Sequence, residues 1–260
     1  MPVRYLNPDA LSSFAPVSLR DKKPYPWHGF ERFVHPEGFE RLCREFPPLE
    51  KFEKHEGLER GYGQRPHNRY YLACEESHYH PQGYQGPGLI QRAELPESWR
   101  TFLGELKQPQ YRMFLESALE IRRFTLRFAW HVGTTGGEVS PHKDALQKAG
   151  IHLFYFSPAE TWDPSWGGET LVLGGKRVPD ENPDFSDFSE IIPVPFFGNR
   201  SLFIRNTPAA WHGVRPLQCP EGRHRRIFTV VVERQGASLR QLLRRGQRAL
   251  GLRRYPGEKG

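Results

Sequence analysis

From residue 121 to 233 the chain is a succession of short runs rich in β-branched and aromatic residues, each bounded by turn residues. No other feature constrains the fold as much. The runs are 122–132 (RRFTLRFAWHV), 151–156 (IHLFYF), 169–173 (ETLVL), 190–194 (EIIPV), 200–205 (RSLFIR), 212–217 (HGVRPL) and 225–233 (RRIFTVVVE). Seven such runs in series read as an antiparallel sandwich or barrel. The 25 glycines and 24 prolines supply the turns that this needs. No internal repeat is present.

The first 120 residues have a different texture. Residues 1–24 read as irregular, and 25–34 (YPWHGFERFV) as a strand or turn. In 36–46, Phe39, Leu42, Cys43 and Phe46 recur at helical spacing, and Pro47-Pro48 ends the helix. Residues 68–73 (NRYYLA) read as a strand, and 75–93 as a Gly/Pro/His/Tyr-rich loop. Residues 96–118 hold one or two helices: Trp99, Phe102, Leu103 and Leu106 share a face, as do Tyr111, Phe114, Leu115 and Ala118 after Pro109. Residues 177–189 (RVPDENPDFSDFS) form an acidic surface loop. The expected class is mainly β with flanking helices (α+β). A helical and irregular extension (1–120) packs on the core (121–236), and a basic helix or tail (237–260) follows, all in a single domain.

The formal net charge of +7 is concentrated in that tail. Arg240, Arg244, Arg245, Arg248, Arg253, Arg254 and Lys259 face Glu258 alone. The tail could contact an acidic partner, whereas the nearly neutral body gives no nucleic-acid footprint. Cys43, Cys74 and Cys219 are odd in number and widely spaced, which speaks against a disulfide framework or a zinc site and for a reducing cytoplasm. The N-terminus has no apolar signal core, and no apolar stretch is long enough for a transmembrane segment.

The chemistry starts at PHKDA, residues 141–145. His142 and Asp144 are two apart, so on a strand both would point to one face and could reach one metal ion. The third ligand has to come from elsewhere, and His212 in NTPAAWHGVRPL is the best candidate. Two imidazoles and one carboxylate on one side of an octahedron leave positions open, which suits non-haem Fe(II) better than tetrahedral zinc. On the closing run, Arg225, Ile227 and Thr229 alternate onto one face.

In order and spacing, SPHKD, IHLFYFSP, WDPSWGGETLVLGG, RSLFIRNTPAAWHGVRPL and RRIFTVVV resemble the 2-oxoglutarate/Fe(II)-dependent dioxygenase superfamily, in its prolyl-hydroxylase-like branch. The likeness spans about 125–233 and implies a double-stranded β-helix (jelly roll) core. It implies that His142, Asp144 and His212 hold Fe(II). It also implies that Arg225 pairs with the far carboxylate of 2-oxoglutarate through parallel charge-assisted hydrogen bonds, with Thr229 and Tyr155 assisting. RHRR leaves Arg226 as a rival anchor, on the opposite face of a regular strand. Gly167-Gly168 serves a backbone turn or a close approach, and Trp162, Trp166 and Trp211 read as packing. Arg127, His131, Arg69 and Tyr71 are candidates for the substrate pocket.

The implied activity is hydroxylation of an unidentified small-molecule or peptide substrate, using O2 and releasing succinate and CO2, with ascorbate as an accessory reductant. The carboxylate of Asp144 favours hydroxylation over halogenation, which needs that position for a halide. Two alternatives remain: a cupin-like metal enzyme that does not use 2-oxoglutarate, and a non-catalytic binding module on the same fold.

Overall fold

The structure, a computed structural model, describes residues 5–57, 65, 67–77 and 79–235. The expected basic tail lies outside the described residues.

Among the described residues twelve strands form two sheets. They are β1 (Trp27–Glu31), β2 (Glu53–His55), β3 (Arg69–Cys74), β4 (Leu89–Ile90), β5 (Phe124–Gly133), β6 (Val139–His142), β7 (Lys148–Tyr155), β8 (Thr170–Lys176), β9 (Phe188–Val194), β10 (Arg200–Arg205), β11 (Trp211–Val214) and β12 (Arg225–Arg234). The larger sheet runs β1-β10-β7-β12-β5-β3-β2, with the short β4 parallel to β3. The smaller runs β6-β11-β8-β9. Every other pairing between these strands is antiparallel, and the two sheets make the expected jelly roll.

β12 shows how sequence alternation builds the layers. Arg225, Ile227, Thr229 and Val231 face a cavity between the sheets. Phe228, Val230 and Val232 face the other way, into a core shared with the helices. Val172, Val194 and Val214 of the small sheet pack against Ile151, Leu153, Ile227 and Val231 of the large one, which fixes the sheets face to face.

Among the described residues five α-helices occur: α1 (Pro8–Ser12), α2 (Pro16–Arg20), α3 (Pro36–Arg44), α4 (Glu97–Glu105) and α5 (Pro109–Leu119). Proline opens four of them, where the missing N–H costs nothing. The faces expected on α4 and α5 are the buried ones: Trp99, Phe102, Leu103, Tyr111, Phe114 and Leu115 lie under 5% exposed, against the outer face of the large sheet. Residues 1–24 are less irregular than expected, because α1 and α2 lie there. Their five-residue length shows no periodicity, and proline starts and Asn7 capping the Asp9 N–H define them instead. The segment before residue 121 also supplies β1, β2, β3 and β4 to the large sheet.

Candidate metal and anion site

His142 ends β6, and His212 lies opposite it on β11 as its register partner. Their ring centroids are 4.2 Å apart and both side chains are buried. His142 Nδ1 lies 3.0 Å from the Ser140 carbonyl, and His212 Nδ1 lies 3.0 Å from the Ala210 carbonyl. A carbonyl only accepts, so each Nδ1 carries the proton and donates it. With Nδ1 so engaged, Nε2 is the nitrogen left to face a metal ion. Metal-ligating histidines are oriented by this kind of backbone bond.

Asp144 does not share a strand face with His142, as the spacing had suggested, because β6 stops at His142. It stands in the connection to β7, where Asn206 ties the turn down. Asn206 Nδ2 lies 3.3, 3.0 and 3.0 Å from the carbonyls of Asp144, Ala145 and Lys148. Asp144 still reaches the cavity that His142 and His212 line. Its Oδ1 accepts from Lys148 Nζ at 2.5 Å. Burial opposes ionisation of Asp144, but the Lys148 charge and then the two histidines hold its carboxyl well below the ordinary range. Among the described residues no three His, Cys, Asp or Glu side chains are already gathered as a finished metal cage. Ligation by all three requires Asp144 to use Oδ2 or to turn away from Lys148. Two Nε2 donors and a carboxylate fit a non-haem iron better than zinc, and no thiol lines the cavity.

Arg225 lies at another wall of the cavity, 3% exposed. Its Nε donates to the Gly168 carbonyl at 2.5 Å and its Nη2 to Thr170 Oγ1 at 2.9 Å. Thr170 Oγ1 is also 2.8 Å from the Tyr155 hydroxyl. The guanidinium carbon sits 4.9 Å from the Phe196 ring centroid. Among the described residues no carboxylate forms an ion pair with Arg225. Burial pulls its pKa down to about 10, so it remains charged at neutral pH. Thr229 Oγ1 is buried, faces the same cavity, and has no hydrogen-bond partner. Arg226 points the other way, over the Phe46 ring. Gly167 and Gly168 have φ of 72° and 105°. A Cβ on Gly168 would lie 2.6 Å from Phe196, so the glycine pair serves both conformation and close approach.

The cavity has a volume of about 180 Å³. Arg69, Tyr71, Arg127 and His131, expected at a substrate pocket, all line it together with the three candidate ligands, Arg225 and Thr229. Tyr155 stands behind it, reached through Thr170. Arg127 is bridged to Glu233 at 3.0 Å. Burial, then the Arg69 charge, hold the His131 imidazole well below its ordinary pKa, so it is neutral.

No protein-family model matches the chain, and no curated protein does. Solved structures do. A Pseudomonas putida prolyl-4-hydroxylase aligns with TM-score 0.56 and 14% identity over 85% of this chain and all of its own. A prolyl hydroxylase from Trichoplax adhaerens, solved with a hypoxia inducible factor oxygen degradation domain peptide fragment, gives 0.57 and 11% over 91% of this chain and 93% of its own.

The chain has the prolyl-hydroxylase fold.

The non-heme alpha ketoglutarate dependent carbocyclase SnoK from nogalamycin biosynthesis shares it, with TM-score 0.53 and 15% identity over 98% of this chain and 97% of its own. At these identities the likeness is one of fold.

Four cavity or supporting residues escaped the sequence reading: Thr170, Lys148, Asn206 and His67, whose ring lies 4.7 Å from that of His142. Asn206 lies in the same NTPAAWH motif as His212, and that proximity was the available signal. Trp162, Trp166 and Trp211 pack as expected, with Trp162 Nε1 donating to the Gly167 carbonyl at 2.9 Å.

Proposed function

We propose that the protein is an Fe(II)- and 2-oxoglutarate-dependent oxygenase. It couples oxidative decarboxylation of 2-oxoglutarate to succinate and CO2 with insertion of one O2 oxygen into a substrate C–H bond. The observation that carries this reading is one cavity joining two carbonyl-oriented histidines and a largely buried carboxylate to a buried arginine that has no counter-ion among the described residues.

His142 Nε2, His212 Nε2 and Asp144 would hold the iron, which supplies O2 activation when bound. Arg225 would take the far carboxylate of 2-oxoglutarate, with Thr229 donating its otherwise unpartnered hydroxyl. Thr170 and Tyr155 keep the guanidinium in place; burial holds the Tyr155 phenol protonated by raising its pKa to about 12. The apolar walls, including Ile151, Leu153 and Val231, exclude water from the reacting centre. Three buried, unpaired cysteines fit a reducing compartment such as the cytoplasm. Among the described residues no helix is long and apolar enough to cross a membrane.

A cupin-like enzyme without 2-oxoglutarate, or a binding module, has no use for an uncompensated buried arginine beside the histidine pair. The deciding experiment is anaerobic titration of the metal-free protein with Fe(II) and 2-oxoglutarate. A weak visible charge-transfer band that requires both components supports the reading. Iron binding without such a band overturns it in favour of the cupin-like alternative.

A further inference from the structure

Four cations line the cavity: Arg69, Arg127, Lys148 and Arg225. Arg127 has Glu233 and Lys148 has Asp144. Under the proposed function Arg225 has the far carboxylate of 2-oxoglutarate. Arg69 alone is left. Among the described residues it forms no ion pair, and its Nε is buried without a hydrogen-bond partner.

Its neighbours make this a built position. Tyr71 on β3 is the register partner of His131 on β5, and Gly133 on β5 that of Arg225 on β12. Continuing the register, Arg69 and Arg225 flank Gly133 in one row, two strand spacings or roughly 10 Å apart. His131 Nδ1 is buried in the same wall, also without a partner. As a neutral ring it can carry its proton there and donate it. Tyr71 lies 5.4 Å from His131 and 5.0 Å from Tyr79, and both tyrosines line the cavity. The wall thus offers one fixed cation, one neutral donor and two aromatic rings. The buried, unpartnered Nε–H of Arg69 is costly unless a ligand satisfies it.

We infer that the substrate is a carboxylic acid, with its carboxylate on Arg69 and His131 and its body along Tyr71 and Tyr79. This rests on the oxygenase reading above, and it makes Arg69 a second anion anchor, separate from the cosubstrate's.

Benzoate and benzamide have nearly the same shape and differ in charge, so they are the probes. Each is titrated calorimetrically, without oxygen, into protein loaded with Fe(II) and 2-oxoglutarate, for wild type and Arg69→Gln. Benzoate is expected to bind wild type at least tenfold tighter than benzamide, and to lose at least tenfold in the variant. The Fe(II)–2-oxoglutarate band controls for folding. Equal binding of the two probes, or undiminished benzoate binding by the variant, overturns the inference. Loss of the band in Arg69→Gln also overturns it, by assigning Arg69 to the cosubstrate. Absence of the band in wild type is instead the failure of the oxygenase reading.

Discussion

His142 and His212 face each other across the β6–β11 pair, and each donates Nδ1–H to the carbonyl two residues before it. The backbone thereby chooses the tautomer and aims the basic nitrogens. Replacing either histidine by alanine should abolish the Fe(II)–2-oxoglutarate band and weaken Fe(II) binding by roughly 100-fold or more, since even outer partners of metal ligands cost 10–100-fold. Anaerobic iron titration measures this, and an unchanged affinity in both variants would remove the pair from the metal site.

Arg225→Gln deletes the buried guanidinium that bonds to Thr170 and the Gly168 carbonyl. A charged hydrogen-bonding partner contributes about 1.5–3 kcal/mol, so the 2-oxoglutarate affinity should fall by roughly 10- to 150-fold. Arg225→Lys should recover part of this, keeping charge but not the paired geometry. Arg226→Gln should leave cosubstrate affinity unchanged, because that side chain faces Phe46.

Thr229→Val tests the orphaned hydroxyl. With no partner among the described residues, Oγ1 contributes nothing to folding that valine would lose. The melting temperature should hold or rise, while 2-oxoglutarate binding weakens by about 0.5–1.5 kcal/mol. A variant that is destabilised and binds normally would show that the hydroxyl serves the fold instead.

Gly168→Ala places a Cβ at 2.6 Å from the Phe196 ring and 3.3 Å from Arg225 Cδ, on a backbone with φ of 105°. Strain and overpacking together should cost on the order of 2–4 kcal/mol of stability. The displaced Arg225 should also raise the KM for 2-oxoglutarate. Denaturant unfolding together with cosubstrate titration separates the two effects.

His152 lies fully buried outside the site, between the Tyr111 hydroxyl and Ser201 Oγ, each 3.0 Å from a ring nitrogen. Burial, and then the His28 charge, hold it well below the ordinary imidazole value. A base with a depressed folded-state pKa binds more protons when unfolded. Its stabilising contribution is present above about pH 6.5 and declines as pH falls further, by up to about 1.4 kcal/mol per unit. His152→Phe should flatten the stability–pH slope between about pH 6.5 and 5 by as much as one proton. It should also cost about 1–3 kcal/mol at neutral pH from the two hydroxyls left unpartnered. Calorimetric melting across this range reads both, and an unchanged slope would mean that His152 does not titrate on unfolding.

Much of this was legible because it follows local rules. The alternation in β12 announced which residues face inward, so Arg225 rather than Arg226 was the inward arginine. The faces of α4 and α5 followed from 3.6-residue periodicity. Asp144 reaches the cavity wall although it is not on the expected strand, because the short connection to β7 carries it there. Thr170 was hidden: nothing in ETLVL marks its hydroxyl, and its partners Arg225 and Tyr155 arrive from distant strands. Lys148 was hidden because its role depends on the turn that Asn206 ties down.

β1 closes one end of the large sheet by pairing with β10, Trp27 lying opposite Ile204. During synthesis β1 therefore waits until β10 has been made before this partner exists. Closing so long a loop carries an entropy cost that no local contact can repay beforehand. The large sheet is accordingly expected to close at this edge only after β10 has left the ribosome. Until then the apolar residues of β1, Trp27 and Phe30, are exposed to whatever chaperones attend the nascent chain.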